Sequence, residues 1–289
     1  MTKTAILVDE NSRVMVQGIT GGTGSFHTRL MLDNGTNIVG GVRAGRGGER
    51  VHGVPVYDTV KECVREQRPN VTVLFVPAPY VKEAAFEAMD GGLKTIIVVP
   101  ERIPIHDMLE IRAKAKGMGA VVLGGNTPGV ISPGRCLVGI IPALAFTPGR
   151  IGSVTRSGSM LYYVADTLTH AELGESTCVG LGGDPILGSD FQDILRLFEE
   201  DDETDGVVLV GEIGGVYEEM AADCVAKMSK PVVAFIAGRY APSGKRMGHA
   251  GAIIERGLGT AESKIEALQN AGAKIAKSFL EIPKLLQER

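Results

Sequence analysis

The sequence predicts an α/β protein of two domains, each built around a mainly parallel β-sheet. Short apolar runs, such as those at 71–76 and 95–99, alternate with amphipathic helical stretches along the 289-residue chain. Continuous β-branched runs are typical of parallel strands buried on both faces, and strands alternating with helices predict a doubly wound sheet. A segment rich in proline and glycine at 124–149 interrupts this alternation and separates two such series.

The first series precedes the interruption. Its predicted strands are residues 14–16, 37–42, 71–76, 95–99 and 120–123, and its predicted helices are residues 25–34, 58–67, 80–90 and 105–116. The interruption contains the sequences GGNTPGVISPG and TPG, which predict a loop or hairpin and a linker.

The second series follows the interruption. Its predicted strands are residues 151–154, 177–181, 206–210 and 231–236, and its predicted helices lie near 159–172, 190–200, 217–228, 260–272 and 282–288. The predicted domains are therefore residues 1–125 and 149–289, joined by a linker or hairpin at 126–148.

The composition is that of an ordinary globular protein, with 44% hydrophobic residues, 22% charged residues and a net charge of -4. This mildly acidic balance argues against nucleic acid as a partner, and no apolar run approaches the roughly 20 residues of a membrane span. The four cysteines show no metal-ligand spacing, so we predict no metal site on this chain and expect buried free thiols. Free thiols fit a reducing compartment, which favours the cytoplasm and leaves open a mature organellar form.

A glycine-rich segment follows the first predicted strand and precedes the first predicted helix. It runs from Gly18 to Gly24 and contains Thr20, Gly21 and Thr23. Glycines at such a turn let the backbone approach a phosphate, and a helix N-terminus favours an anion. The segment therefore predicts a nucleotide site without specifying the nucleotide.

The end of the second predicted strand narrows this choice. A domain that binds NAD often carries an acidic residue there for a ribose hydroxyl, but this chain continues into Arg43, Arg46 and Arg50. Arginines suit an additional phosphate, so NADP or coenzyme A fits better than NAD. A solvated basic loop is the alternative interpretation.

Two further segments follow strands of the second series. Thr155-Arg156-Ser157-Gly158-Ser159 places hydroxyl residues and a glycine at a helix start, which favours either an anion site or a plain helix cap. Glu212 lies in the sequence GEIGG at the end of another strand. A carboxylate there can accept the Nδ1 proton of a histidine and leave Nε2 as the nucleophile.

The matching histidine is His249, in the sequence GKRMGHAGA. Small neighbours give the ring access and mobility, and the preceding cations can stabilise phosphate charge. We therefore predict that His249 carries a phosphoryl group, whereas His27, His52, His106 and His170 are interpreted as structural or surface residues.

Together these segments resemble the α subunit of succinyl-CoA synthetase, also called succinate–CoA ligase. The resemblance covers about residues 6–287, and its most specific parts are QGITG, VPAP, TRSG, VGLGGDPILGSDF, GEIGG and GKRMGHAGAI. It implies an N-terminal Rossmann-like CoA-binding domain followed by a flavodoxin-like ligase domain. It also implies a β subunit with an ATP-grasp domain, in an αβ or α2β2 assembly, that binds ATP or GTP with Mg²⁺.

The resemblance assigns roles to individual residues. His249 becomes the phosphoryl carrier between the nucleotide and a small carboxylate, and Glu212 its orienting residue. Ser157, Gly158 and Ser159 become backbone donors to the phosphate, with Tyr162 near the acyl group. The implied CoA contacts, together with neighbours from the same motifs, are Gly18, Thr20, Gly21, Thr23, Gly24, Arg43, Arg46, Val99, Glu101 and Asn126.

Several positions depart from the family pattern, chiefly Arg102, Thr127, Tyr163 and Tyr240. These departures leave open a paralogue that uses malate, itaconate or citrate. A CoA- or dinucleotide-binding sensor and an NADP-dependent oxidoreductase are the alternatives from other classes, but both leave His249 and Glu212 without a role.

Overall fold

The structure, a computed structural model, describes residues 6–255 and 257–288. The chain forms two compact units. The N-terminal unit comprises Leu7–Ile141 with Ile186–Ser189, and the C-terminal unit comprises Pro142–Pro185 and the chain from Asp190 onward. The predicted limits at residues 125, 148 and 149 stay a prediction. Of the segment between them, residues 126–141 fall within the N-terminal unit and residues 142–148 within the C-terminal unit.

The N-terminal unit contains a sheet with helices between successive parallel strands. Its elements are β1 (Val14–Gln17), α1 (Gly22–Asp33), β2 (Ile38–Val42), β3 (Arg50–Val51), β4 (Val54–Tyr57), α2 (Val60–Gln67), β5 (Val71–Leu74), α3 (Val81–Asp90), β6 (Thr95–Val98), α4 (Ile105–Met118), β7 (Val121–Leu123), β8 (Gly129–Ser132) and β9 (Cys136–Gly139). The strand order is β3-β4-β2-β1-β5-β6-β7. Without the antiparallel edge strand β3, this is the Rossmann order 3-2-1-4-5-6.

The C-terminal unit contains a second parallel sheet. Its elements are β10 (Pro148–Thr155), α5 (Gly158–His170), β11 (Glu175–Gly180), α6 (Phe191–Glu199), β12 (Gly206–Glu212), α7 (Tyr217–Val225), β13 (Val232–Ala237), α8 (Ala261–Asn270), β14 (Lys274–Ile275) and α9 (Ile282–Gln287). Read from β11, the order is β11-β10-β12-β13-β14, which is the flavodoxin-like order 2-1-3-4-5. The predicted fold class is confirmed.

The strands form because their side chains can be buried on both faces. Every residue of β1, β2, β5, β11 and β12 is buried, as expected for strands with helices on either side of the sheet. Helix α6 shows the complementary pattern, with one buried stripe formed by Phe191, Ile194, Leu195 and Phe198. Burial of such stripes contributes about 25 cal/mol per Å² of apolar surface.

Three features differ from the predicted elements. Helix α1 begins at Gly22, so the end of the glycine-rich segment already lies in its first turn. The arginine-containing loop is followed by a short antiparallel pair, Arg50–Val51 with Val54–Tyr57. Strand β14 is not predicted, because two half-buried residues give no periodic pattern. Within the described residues, no helix is long and apolar enough to cross a membrane.

Candidate phosphoryl-transfer and CoA sites

The candidate catalytic site lies at the carboxyl ends of β10 and β12. These strands are neighbours in the sheet, with Thr155 paired to Val210, but β11 lies on the other side of β10 and β13 on the other side of β12. Chain connections therefore run in opposite directions from this point, which is where open α/β sheets bind ligands. Ser157 follows β10, and Glu212 is the last residue of β12.

His249 lies against Glu212. The distance from His249 Nδ1 to Glu212 Oε2 is 2.8 Å, and the two side chains are 26% and 6% exposed. A carboxylate can only accept, so the Nδ1 atom donates and carries the ring proton. In the neutral ring, Nε2 then keeps its lone pair and is available as a nucleophile.

A close backbone approach holds the histidine loop in place. The Gly251 N–H donates to the Gly183 carbonyl at 3.1 Å. A Cβ atom on Gly183 would lie 2.7 Å from Cγ of His249, closer than such atoms approach in real structures. Glycine at position 183 therefore allows the ring of His249 to pack directly on the loop that follows β11.

Arg156 supports Glu212 from the buried side. Its guanidinium is 1% exposed, and one nitrogen lies 3.6 Å from Glu212 Oε1. The same guanidinium donates to the carbonyls of Gly214 and Asp184, each at 3.4 Å, and lies 5.7 Å from the ring centroid of Tyr217. It thus connects the loops after β11 and β12 and provides the positive charge that a buried carboxylate needs.

The surroundings raise the pKa of His249 above its ordinary value of 6.5. The hydrogen bond to Glu212 is the largest cause, and burial opposes it. The charge of Glu212 adds to the increase, Arg156 lowers the pKa, and Asp184 raises it. The carboxylate therefore both fixes the reactive tautomer and extends the pH range in which the ring is cationic.

The predicted anion cradle lies at the start of α5. The hydroxyls of Ser157 and Ser159 are 3.1 Å apart, and the N–H groups of a first helical turn have no acceptor within the helix. The N–H of Ser157, however, donates to Thr155 Oγ1 at 3.0 Å. In this conformation the Ser157 N–H is therefore used within the chain, and the prediction that it is offered to phosphate stays a prediction. Gly158 and Ser159 lie in the first turn of α5.

Tyr162 lies one turn further along α5. It is half-buried, its ring packs edge-on against Phe146 at 6.4 Å, and burial raises its pKa. Its neighbour Tyr163 is exposed and stacks on Phe279 at 5.5 Å, so these adjacent tyrosines have different surroundings.

The glycine-rich segment of the N-terminal unit follows β1 and begins α1. Gly18 has φ +82°, and a Cβ atom there would lie 2.8 Å from the Phe75 carbonyl. A Cβ atom on Gly24 would lie 2.3 Å from the Gly18 carbonyl. Both positions therefore require glycine, and the resulting tight turn places Gly21, Thr20 and Thr23 at the helix N-terminus, where anions are stabilised.

The other predicted CoA contacts lie after neighbouring strands of that sheet. Arg43 and Arg46 follow β2 and are exposed; Arg46 pairs with Glu49 at 2.8 Å. Val99 and Glu101 follow β6, and the N–H of Asn126 donates to the Pro100 carbonyl at 2.8 Å. The predicted residues therefore share the carboxyl edge of one parallel sheet, which suits a phosphate-bearing nucleotide.

Several contacts around Glu212 are not predicted from the sequence. Arg156 lies in the TRSG motif but has no role assigned by it, and Gly183 and Asp184 appear only within the longer segment VGLGGDPILGSDF. Glu218 and Lys264 carry no signal, because acidic residues at a helix start and a lysine within a helix are common on helix surfaces.

Comparison with known proteins follows this division of the chain. Residues 9–102 match the CoA binding domain family, and residues 154–274 match the CoA-ligase family. The chain is 56% identical to succinate–CoA ligase [ADP-forming] subunit alpha 2 of Archaeoglobus fulgidus over 98% of this chain and 99% of the relative. It is 48% identical to the corresponding alpha subunit of Staphylococcus aureus over 98% of this chain and 94% of the relative.

Solved structures share the fold. An ATP citrate lyase from Methanothrix soehngenii, in complex with citrate and coenzyme A, superposes with a TM-score of 0.88 at 25% identity. This superposition covers 98% of the chain and 50% of the lyase, so the chain spans half the length of that protein. A dinucleotide forming acetyl-coenzyme A synthetase from Ca. Korarchaeum cryptofilum has a TM-score of 0.71 at 20% identity over 93% of this chain and 58% of that one.

A CoA-binding unit joined to a CoA-ligase unit defines an acid–thiol ligase chain. Within that class, the chain belongs to the family of succinate–CoA ligase α subunits. The predicted family and enzyme class are confirmed. The comparisons give no support to a paralogue for another acid or to a sensor module.

Proposed function

We propose that the chain is the α subunit of a ligase that forms succinyl-CoA from succinate, coenzyme A and ATP, releasing ADP and phosphate. The observation that carries this proposal is the 2.8 Å hydrogen bond between His249 Nδ1 and Glu212 Oε2 at the carboxyl edge of the sheet. It leaves Nε2 as the reactive nitrogen. The names of the relatives supply succinate and the ADP-forming direction.

The chemistry transfers one phosphoryl group twice. The Nε2 lone pair of His249 forms an N–P bond with the γ-phosphorus, and ADP leaves with the electrons of the broken P–O bond. A carboxylate oxygen of succinate then takes the phosphoryl group from His249 and becomes an acyl phosphate. The CoA thiolate attacks its carbonyl carbon, phosphate leaves, and the thioester remains. This sequence divides one difficult step into easier ones.

Each unit has its own part in this proposal. Glu212 keeps the Nδ1 proton in place and stabilises the cationic phosphohistidine ring. Gly158 and Ser159 offer helix N–H groups to the phosphoryl oxygens, and Tyr162 lies at the acyl side. Gly18–Gly24, Arg43, Arg46, Val99, Glu101 and Asn126 bind CoA.

The remaining components belong to a partner. We assign ATP and its Mg²⁺ to a β subunit with an ATP-grasp domain, because the relatives are named as α subunits. The assembly is αβ or α2β2. The free thiols of Cys63, Cys136, Cys178 and Cys224 support placement in the reducing cytoplasm.

Labelling with ATP tests the proposal. The chain is incubated with its β subunit and ATP labelled at the γ-phosphate, and the protein is then exposed to acid or alkali. We expect an acid-labile, alkali-stable label that is absent from His249→Ala. A label that persists in His249→Ala, or no label with a partner that phosphorylates another α subunit, contradicts the proposal. Trapping acyl-CoA as hydroxamate across a panel of acids then tests succinate against its competitors.

A further inference from the structure

A fully buried lysine contacts the segment that follows Glu212, the last residue of β12. Lys264 on α8 and Glu218 on α7 are both 0% exposed and form an ion pair. The ammonium also donates to Glu219 Oε2 at 3.1 Å and to the Gly215 carbonyl at 3.2 Å. An ammonium has three donors, and these three contacts use all of them.

These contacts fix both ends of the segment 212–215. At one end, the N–H of Glu212 donates to Glu218 Oε1 at 3.1 Å. At the other end, the Gly215 carbonyl accepts from Lys264. Between them, Gly214 and Gly215 adopt φ +90° and +61°, conformations that favour glycine. Glycines restrain the backbone little, so the contacts at the two ends must hold the segment.

The backbone at the start of this segment is shaped to accept Glu218. A Cβ atom on Gly211 would lie 2.5 Å from Cγ of Glu218 and 2.7 Å from its Oε1. The carboxylate therefore packs flat against the strand end that carries Glu212. Burying an ion pair brings little net stability, because desolvation offsets the attraction, so stability alone is a weak reason for this arrangement.

We infer that Lys264, acting through Glu218 and the Gly215 carbonyl, is a positioning residue that holds Glu212 in register with His249. This inference rests on the proposed role of His249 as phosphoryl carrier. Lys264 itself touches neither the histidine nor any reacting atom. Its effect is to keep the Glu212 carboxylate within hydrogen-bond distance of Nδ1, a distance on which the reactive tautomer depends.

The first test measures the histidine in the isolated full-length chain. Ring ¹⁵N shifts report both the tautomer and the pKa of His249. The charged groups facing this ring are Glu212 from β12, Arg156 from the segment between β10 and α5, and Asp184 from the loop after β11. Lys245 and Arg246 lie earlier in its own loop. Lys264→Met leaves all of these in place, so a change in the ring reports the position of Glu212.

We expect Lys264→Met to lose the fixed Nδ1–H tautomer and to lower the pKa of His249 toward or below 6.5, because the opposing effect of burial then predominates. Lys230→Met is the matched control. Lys230 also donates to a backbone carbonyl, that of Phe198 at 2.6 Å, but contacts neither Glu218 nor Gly215. Wild-type tautomer and pKa in a folded Lys264→Met overturn the inference.

A second variant covers loss of folding. If Lys264→Met does not fold, the pair Glu218→Gln with Lys264→Met removes both buried charges together and leaves no uncompensated ion. The tautomer and pKa of His249 are then measured in this double variant, and wild-type values overturn the inference. In the assembled enzyme, we expect the rate of label transfer to His249 to fall about tenfold or more and Lys230→Met to match wild type.

The phosphoryl label and the ring measurement distinguish failure of the proposed function from failure of the positioning role. Absence of label in the wild-type enzyme with a competent partner contradicts the proposed function and leaves the ring measurement intact. A normal ring in Lys264→Met, in an enzyme that is labelled, overturns only the positioning role. Lys264→Arg keeps the charge and a donor, so partial recovery of the Nδ1–H tautomer is expected there.

Discussion

At the scale of single residues, the hydrogen bond to Glu212 decides which nitrogen of His249 reacts. A neutral imidazole has one donor nitrogen and one acceptor nitrogen. With Nδ1 at 2.8 Å from a carboxylate, the proton stays on Nδ1 and the lone pair on Nε2. The same carboxylate raises the pKa of the ring, so reactivity and protonation are coupled at one pair of atoms.

Glu212→Gln separates these two effects. The amide keeps the size of the side chain but loses its charge, so the pKa of His249 should fall. Only neutral His249 can attack phosphorus, so the pH dependence of label transfer should shift to lower pH. The maximum rate should decrease on the order of 10²-fold or more, because the tautomer is no longer fixed. An unchanged pH profile, measured by rapid quench with γ-labelled ATP, contradicts this account.

Gly183→Ala tests the packing beneath the ring. The added Cβ would lie 2.7 Å from Cγ of His249, so the ring or the loop after β11 must move. We expect slower label transfer with little loss of stability, since the side chain of His249 is partly exposed, at 26%. Gly117→Ala in α4 is the control, because a Cβ there meets nothing within 4 Å. Equal transfer rates in the two variants would refute the packing argument.

At the scale of elements, the strands position the site, but one of them also buries a carboxyl group in the sheet. Glu175 begins β11, is 1% exposed and accepts a hydrogen bond from Ser153 on β10. Burial raises its pKa to about 7 against an ordinary value of 4.5, although the bonds from Ser153 and Cys178 oppose the increase. Burial therefore favours the protonated carboxyl group within the sheet.

The consequence is a loss of stability as pH rises. A group whose pKa is higher in the folded state gives its full stabilisation below pH 4.5 and loses it as pH rises to about 7. The loss amounts to about 3 kcal/mol across that interval. Glu175→Gln should remove most of this pH dependence, which urea denaturation at pH 5 and pH 8 will show. An equal change in the free energy of unfolding between pH 5 and pH 8 in wild type and variant would exclude Glu175 as the source of this pH dependence.

Elements and site differ in how far the sequence predicts them. The order of strands and helices follows from local periodicity, and His249 and Glu212 are conspicuous because glycines surround them. Strand β14 and the Arg50–Val51 pairing are too short for a pattern to emerge. Lys264 reaches Glu218 across 46 positions of sequence, and nothing local distinguishes this buried lysine from an exposed one.

At the scale of the whole molecule, two sheets of different topology provide two sites by the same rule. In each, the ligand-binding residues follow the carboxyl ends of strands at the point where the connections change direction. In the N-terminal sheet, Gly18 follows β1 and Phe75 follows β5, on either side of that point. In the C-terminal sheet, Ser157 follows β10 and Glu212 ends β12. The fold thus predicts a CoA site that functions in the chain without its partner.

Thermal unfolding with and without ligand tests that site in the full chain. CoA at about 100 times its dissociation constant should stabilise the folded state by about 2.7 kcal/mol and raise the melting temperature by about 5 °C or more. Dephospho-CoA should bind about tenfold more weakly, since a charged hydrogen bond contributes about 1.5 kcal/mol.

Removing Arg43 and Arg46 together, as Arg43→Gln with Arg46→Gln, should abolish the difference in affinity between CoA and dephospho-CoA. Arg29→Gln is the control, because Arg29 is an exposed arginine of α1 that pairs with Asp33 at 3.0 Å. A larger shift with NADP than with CoA would instead favour a dinucleotide site.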